Sequence, residues 1–384
     1  MTIGAPESPD LADLIHEMAR RNWLLGDSAE AEPLCRQALE MARRVSAKRV
    51  EADALITLAS WTTMKSEDSI SALNEAVVIC QAEKLLLQES RAQFNLGVSL
   101  SAYGANFRAG REHYIKSAEI DQQMGNLSGE LLTLTNAAMC TITLGEFSRV
   151  EEMIAHLDEI RDQIVDPGIS EQNYQELQAD FQEAKGNLEG AAEICRGRFR
   201  QAIDSGSDSE IVGTAYLYPL LLLELGAQDE AELVIQHGVK AADQIQSLRV
   251  RTRAVQAMVL ARKGDFIPAR QVYKKAEQIF AERLRAWPGL WLCMAHAHVL
   301  AAEKRWDEAF STFQEAANLL EHAEARFRRS LLLQDWALAH LDRGRPEDIE
   351  RARELYSEAL SEFEDMGSPG YVKRIQARLD ELDS

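Results

Sequence analysis

Residues 255–276 read VQAMVLARKGDFIPARQVYKKA. The apolar side chains on either side of Gly264 recur at helical rather than alternating spacing. Glycine takes the left-handed conformation cheaply, so Gly264 ends the first helix. Ala257 and Ala269, 12 residues apart, are small where two helices would approach most closely. Tyr273 and Ala276 follow Ala269 by four and seven positions and fill the remaining seam. The stretch predicts a helical hairpin.

The same pattern recurs along the chain. The second-helix series runs Ala31-Cys35-Ala38, Ser69-Leu73-Ala76, Gly110-Tyr114-Ser117, Val150-Ile154-Leu157 and Ala191-Cys195-Arg198. It continues Ala231-Ile235-Gly238, Ala269-Tyr273-Ala276, Ala309-Phe313-Ala316 and Ala352-Tyr356-Ala359, with first members 38 to 43 residues apart. Upstream small positions are Ala19, Ala59, Gly97, Ala138, Ala179, Pro219, Ala257, Ala297 and Ala337. Between the two series fall turn glycines, Gly26, Gly104, Gly145, Gly186, Gly226, Gly264 and Gly344; the second repeat has Met64-Lys65 there and the eighth Lys304. A fixed period of this length is the signature of stacked supersecondary units, each burying its apolar face against its neighbours. Strand signals are absent throughout.

The stretches FNLGVSL (94–100), VQAMVLARKGDFIPARQVYKKA (255–276), ALAHLDRG (337–344) and ARELYSEAL (352–360) resemble the tetratricopeptide repeat (TPR) family. The likeness covers residues 11–365. Its usual period is about 34 residues, so longer helices are expected here. Longer-period arrays of this sort resemble the repeat regions of bacterial signal-transduction ATPases and maltose-regulon-type activators, and the ending ARELYSEALSEFEDMGSPGYVKRIQARLDEL (352–382) is similar to the end of such arrays. HEAT repeats are the alternative by period, but the Gly-Asp-Phe turn and the alanine pair argue against them. The resemblance implies an all-α, TPR-like solenoid, a right-handed superhelix of about nine hairpins. The expected organisation is a flexible N-terminus (1–10), nine repeats (11–365) and a C-terminal capping helix (366–384). That last helix would turn a charged exterior outward through Lys373, Arg374, Arg378, Asp380 and Glu381.

Several interruptions mark the middle of the array as irregular. Asp166-Pro167-Gly168 and Ser205-Gly206-Ser207-Asp208-Ser209 lengthen connections, Trp287-Pro288-Gly289 opens the eighth repeat, and Pro219 falls inside a first helix and should kink it.

The bulk numbers exclude several classes. The chain has 384 residues, 46% of them hydrophobic, enough for a large core. A net charge of −20 repels phosphate backbones and anionic lipid, so nucleic acid is an unlikely partner and membrane is not expected. Five cysteines (35, 80, 140, 195, 293) are scattered without a C-x-x-C pair, which suits reduced thiols in a cytoplasmic protein. No apolar run approaches the length of a span, and the acidic, Pro-containing start is unlike a secretory signal.

Searching for chemistry turns up no phosphate loop, nucleophile elbow, H-E-x-x-H or EF-hand motif. His296 and His298 lie two apart on a helix and so face different ways. Cys35 and Cys195 occupy the seam register held elsewhere by Tyr114, Tyr273, Phe313 and Tyr356. No catalytic residue, metal site or cofactor is expected, and the chain reads as a non-enzyme.

By the same resemblance, the first helix of each hairpin lines a concave face, with ligand-facing positions six, three and two before its small residue and one after. This selects Arg91, Asn95 and Asn136 in the third and fourth repeats; family members use such asparagines to grip a peptide backbone. In repeats six to nine it selects Tyr216, Leu217, Leu220, Arg251, Val255, Met258, Trp291, Met294 and His298, then Leu331, Gln334, Asp335 and Leu338. Two readings of this apolar wall stand side by side: a groove for an amphipathic helix or apolar peptide, or core buried by tight winding. Residues 249–285 hold ten bases and three acids, net +7, leaving −27 elsewhere. That belt would receive an acidic partner segment or close against the acidic body. The expected function is a protein- or peptide-binding scaffold or adaptor in bacterial signalling or complex assembly, the partner lying in the concave groove. The alternative is the sensing arm of a signal-transduction ATPase or transcription regulator that binds a small effector.

Overall fold

A computed structural model describes residues 6–24, 28–60, 66–165, 168–243, 245, 248–281 and 286–383. The expected turn residues Gly26 and Met64-Lys65, the Asp166-Pro167 pair, and Glu282, Arg283 and Arg285 lie outside the described residues. The described residues form α-helices and one π-helical turn, with no strand among them.

The helices pair in order: α1 (Pro9–Leu24) with α2 (Ser28–Arg44), α3 (Lys48–Ser60) with α4 (Ser66–Glu83), α5 (Leu86–Val98) with α6 (Phe107–Met124), and α7 (Leu127–Thr143) with α8 (Phe147–Arg161). Next come α9 (Ile169–Ala184) with α10 (Leu188–Ser205), then α11 (Asp208–Thr214) and α12 (Tyr218–Glu224) with α13 (Gln228–Ala242). The last are α14 (Arg249–Lys263) with α15 (Phe266–Ala281), α16 (Ala286–Ala302) with α17 (Trp306–His322), and α18 (Arg326–Arg343) with α19 (Pro346–Met366), followed by α20 (Pro369–Leu382). This is a TPR-like array of helical hairpins ending in a capping helix. Two compact units share it: residues 1–104 with 109–137, and residues 105–108 with 138–384.

The small positions are buried where helices meet. Ala19, Ala138, Ala179, Ala257, Ala297 and Ala337 are fully buried, as are Ala31, Ala191, Ala231, Ala269, Ala309 and Ala352 across the seam. Cys35, Leu73, Ile235 and Phe313 fill the next layer with no exposure. In the third hairpin, a Cβ on Gly97 would meet the Tyr114 ring at 2.6 Å. Here the extra residue of the π-helical turn Ser99–Tyr103 shifts the turn by one place. Gly104 therefore keeps φ −92°, contrary to expectation, and Ala105 takes the left-handed conformation at φ 54°. The eighth repeat uses Lys304 in the same way, at φ 61°.

Pro219 breaks its helix outright. It sits in the first turn of α12, where a missing N–H costs nothing. The gap between α11 and α12 lets Ala215 press against Gly238 of α13.

In the larger unit the array folds back on itself, so its hairpins touch more than their immediate neighbours. The Gly370 N–H donates to the Lys185 carbonyl at 3.1 Å, and the Ser368 hydroxyl donates to the Ala184 carbonyl at 2.5 Å. Gly186 lies so close that a Cβ on it would meet the Tyr371 nitrogen at 2.5 Å and the Gly370 Cα at 2.6 Å. Phe147 packs edge-on against Phe327 at 5.6 Å, and Arg328 forks onto Glu183 through two 3.0 Å hydrogen bonds.

Several basic residues of α14 and α15 pair within their own unit. Arg253 pairs with Asp243 at 2.5 Å, Arg262 with Glu224 at 2.7 Å, Lys263 with Asp229 and Glu232 at 3.1 and 2.5 Å, and Arg270 with Glu303.

Candidate functional site

The inner side of the first unit is polar and internally bonded. Asp53 is buried and receives Arg91 at 2.7 Å, Arg49 at 3.2 Å and the Gln88 amide at 3.3 Å. The Asn95 amide donates to the Arg91 carbonyl at 2.8 Å, and its oxygen accepts from Ser60 at 3.0 Å. Asn136 spends its amide on the Leu132 carbonyl at 2.8 Å and is half-buried. Two of the three residues selected for this unit thus belong to one structural network, and Asn136 stands apart from it.

The inner side of the second unit surrounds a cavity of about 360 Å³. Four of the selected residues line it: Met258 of α14, Trp291 and Met294 of α16, and Gln334 of α18. The positions Leu220, Leu331, Asp335 and Leu338, read off the same register, line it too. Met258, Trp291 and Met294 are buried and Gln334 is half-buried, so the wall is closed by winding rather than open along its length. Tyr216, Arg251 and His298 stand behind that wall. Tyr216 is edge-on to Trp291 at 6.5 Å, Arg251 lies over the Tyr216 ring at 4.5 Å, and His298 faces Asp335 at 3.3 Å. His296 points elsewhere and stacks on Tyr273 at 4.5 Å.

Charged groups complete the lining. Glu183 comes from α9, Glu224 from α12, Arg262 from α14 and Arg328 from α18. The final helix adds Arg374, Arg378 and Glu381. These were expected on an outward face of α20. Arg378 and Glu381 remain exposed as they line it, at the rim, while Tyr371 and Ile375 are buried.

Behind the cavity sits a buried ionic network. Burial pushes the Glu183 carboxyl up despite Arg328 beside it. Burial opposes the Arg328 cation, but Glu183 and Asp180 outweigh it and hold the guanidinium above its ordinary range. Asp180 accepts the Tyr216 hydroxyl at 2.8 and 2.9 Å. Its burial, with the Glu176 charge nearby, raises it to about 7. Burial likewise opposes the Asp335 charge, but His298 and Arg262 outweigh it and pull the carboxyl below its ordinary value.

The register arithmetic found the apolar wall but missed Glu183, Arg328, Tyr356 and Tyr371. Glu183, Arg328 and Tyr371 come together through contacts between segments 145 or more residues apart, such as Arg328 with Glu183, which no local pattern carries. The thiols play no part here. Cys35, Cys80, Cys140 and Cys195 are buried, and burial pushes Cys35, Cys80 and the half-buried Cys293 up to about 12.

Solved structures share this architecture across almost the whole chain. A Rap protein complexed with Competence and Sporulation Factor aligns over 93% of this chain and 99% of its own, at TM-score 0.68 and 15% identity. The fold is of tetratricopeptide type. Aspartyl phosphate phosphatase F from Bacillus subtilis aligns at TM-score 0.56 and 13% identity, covering 96% of this chain and 97% of its own. A signal transduction ATPase with numerous domains and a tetratricopeptide repeat sensor, from Pyrococcus horikoshii, aligns at TM-score 0.51 and 13% identity, over 96% of this chain and 55% of its own. No family model matches the sequence, and no curated protein matches it. No described helix is long and apolar enough to cross a membrane.

Proposed function

We propose that this chain is a non-enzymatic TPR-type binding module in signalling, which holds a short peptide or the end of a protein partner in the cavity of its second unit. The observation that carries this reading is the cavity itself, with Met258, Trp291 and Met294 on one wall and charged groups on the other. Its volume falls within the roughly 300–1,000 Å³ typical of ligand pockets. An apolar floor with a few placed polar groups is the lining that fixes a ligand's orientation, and methionine adapts its shape to what it meets. The likeness to a Rap protein complexed with Competence and Sporulation Factor supports the same reading. The phosphatase in the same structural company is a reminder that fold does not decide chemistry.

The modest volume also favours a second reading, a small effector sensed by the same cavity. Affinity selection separates the two. The immobilised chain is offered a library of short linear peptides and, separately, a small-metabolite extract. Enrichment of peptides by the wild type and by Asn136→Ala, but not by Gln334→Ala, supports peptide binding in the cavity. Retention of metabolites alone supports the effector. Peptides captured equally by all three proteins place the site elsewhere.

A further inference from the structure

Two buried donors in the cavity walls have no acceptor. The Trp291 indole nitrogen on α16 and the Tyr356 hydroxyl on α19 find no hydrogen-bond partner among the described residues, and each residue is only 2% exposed. A buried polar group left unpaired is costly, and native interiors rarely tolerate one. Two around one cavity point to acceptors supplied from outside the chain.

The cavity's own carboxylates are engaged. Glu183 holds Arg328 at 3.0 Å, Glu224 holds Arg262 at 2.7 Å, Asp335 faces His298 at 3.3 Å, and Glu381 meets Arg378 at 3.2 Å. The two arginines of α20 are the loosely held cations. Arg378 pairs only along its own exposed helix face, and Arg374 reaches Glu189 at 3.9 Å. Exposed pairs of this kind contribute little, so either guanidinium is readily diverted. The charge of Arg378 already acts on the Tyr356 hydroxyl. The lining holds four carboxylates and four guanidiniums, and the two guanidiniums of α20 are the ones held loosely enough to meet an added anion.

Resting on the ligand-binding reading above, we infer that the cavity takes a ligand with an apolar body and a single terminal carboxylate. The body lies on Met258, Met294 and Leu331. The carboxylate is met by Arg374 and Arg378, whose planar fork suits it, and the ligand's oxygen acceptors satisfy Tyr356 and Trp291. Either a peptide C-terminus or a free organic acid supplies this chemistry.

Calorimetric titration of the full chain tests it with three probes: an all-leucine tripeptide as the free acid, the same tripeptide as its C-terminal amide, and decanoate. The free acid is expected to bind at least about tenfold more tightly than the amide, and Arg374→Gln with Arg378→Gln to erase that difference. Tyr356→Phe should weaken the acid several-fold while raising, not lowering, the melting temperature of the unliganded chain, because it removes a buried hydroxyl that has no partner to lose. Decanoate binding alone, still lost in the double variant, identifies a free organic acid as the source. Equal binding of acid and amide, or a preference that survives the double variant, overturns the proposal. If none of the probes binds while library peptides do, the carboxylate assignment falls and the binding module stands; if nothing binds, both fall.

Discussion

Gly186→Ala tests the fold-back of the second unit against a built-in control. Gly186 and Gly226 both end a first helix with nearly the same backbone, φ 77° and φ 78°. Placing alanine in the left-handed conformation costs about 1–2 kcal/mol at either site. At Gly226 a Cβ meets nothing within 4 Å. At Gly186 it would sit 2.5–2.7 Å from the backbone of Gly370 and Tyr371, which cannot swing aside as a side chain would. The turn between α19 and α20 must then move away, releasing the Gly370 and Ser368 hydrogen bonds to Lys185 and Ala184. Each such bond is worth about 0.5–1.5 kcal/mol, so Gly186→Ala should cost roughly 2–5 kcal/mol against about 1–2 for Gly226→Ala. Urea unfolding measures the difference, and amide exchange localises it. In Gly186→Ala the amides of residues 367–382 should exchange much faster, and in Gly226→Ala they should not. Equal losses in the two variants, with exchange over 367–382 unchanged, would refute the contact.

Asp180 should make stability depend on pH. Its native carboxyl is raised to about 7, so between the ordinary carboxylate range and pH 7 the folded chain holds a proton that the unfolded chain has released. Stability therefore falls as pH rises through that window, and melting curves of Asp180→Asn should lose the slope and gain most above pH 7. Asp348 behaves oppositely. Arg343, His340 and the Arg345 amide hold its carboxyl well below the usual range, so its contribution is present at neutral pH and disappears in acid; Asp348→Asn should destabilise at pH 7 and leave strongly acidic unfolding unchanged. Ala297→Leu adds bulk at a fully buried helix crossing and should cost about 1–3 kcal/mol by urea titration. The thiols of Cys35, Cys80 and Cys195, buried and raised, should react with an aromatic disulfide reagent only slowly until the chain unfolds.

The hairpin array was legible because each hairpin writes its own signature: a small residue, a turn, a second small residue and a bulky seam residue. The turn glycines at 145, 186, 226, 264 and 344 all take positive φ. Gly104 does not, because the π-helical turn before it adds a residue that no periodicity announces. Register arithmetic also found one wall of the cavity, since Met258, Trp291, Met294 and Gln334 share a face that repeats with the hairpins. It could not find the other wall. Glu183 meets Arg328, and Ser368 meets the Ala184 carbonyl, only because the larger unit folds back, and that curvature is the sum of small rotations between hairpins. For the same reason Arg374 and Arg378 read only as outward charge on α20, and their place at the cavity rim was not legible. In the first unit the sequence pointed to Arg91 and Asn95 as ligand-facing positions, and it gave no sign that Arg91 also holds the buried Asp53 or that Asn95 also bonds Ser60 and the Arg91 carbonyl.

Hydrogen exchange on the full chain, with and without a peptide taken from the library selection, asks where a ligand sits. Protection concentrated in 255–262, 287–298 and 328–338, and in 371–381 of the final helix, is the result expected of a cavity in the second unit. Protection confined to 88–98 and 132–139, around Asn95 and Asn136, would contradict it.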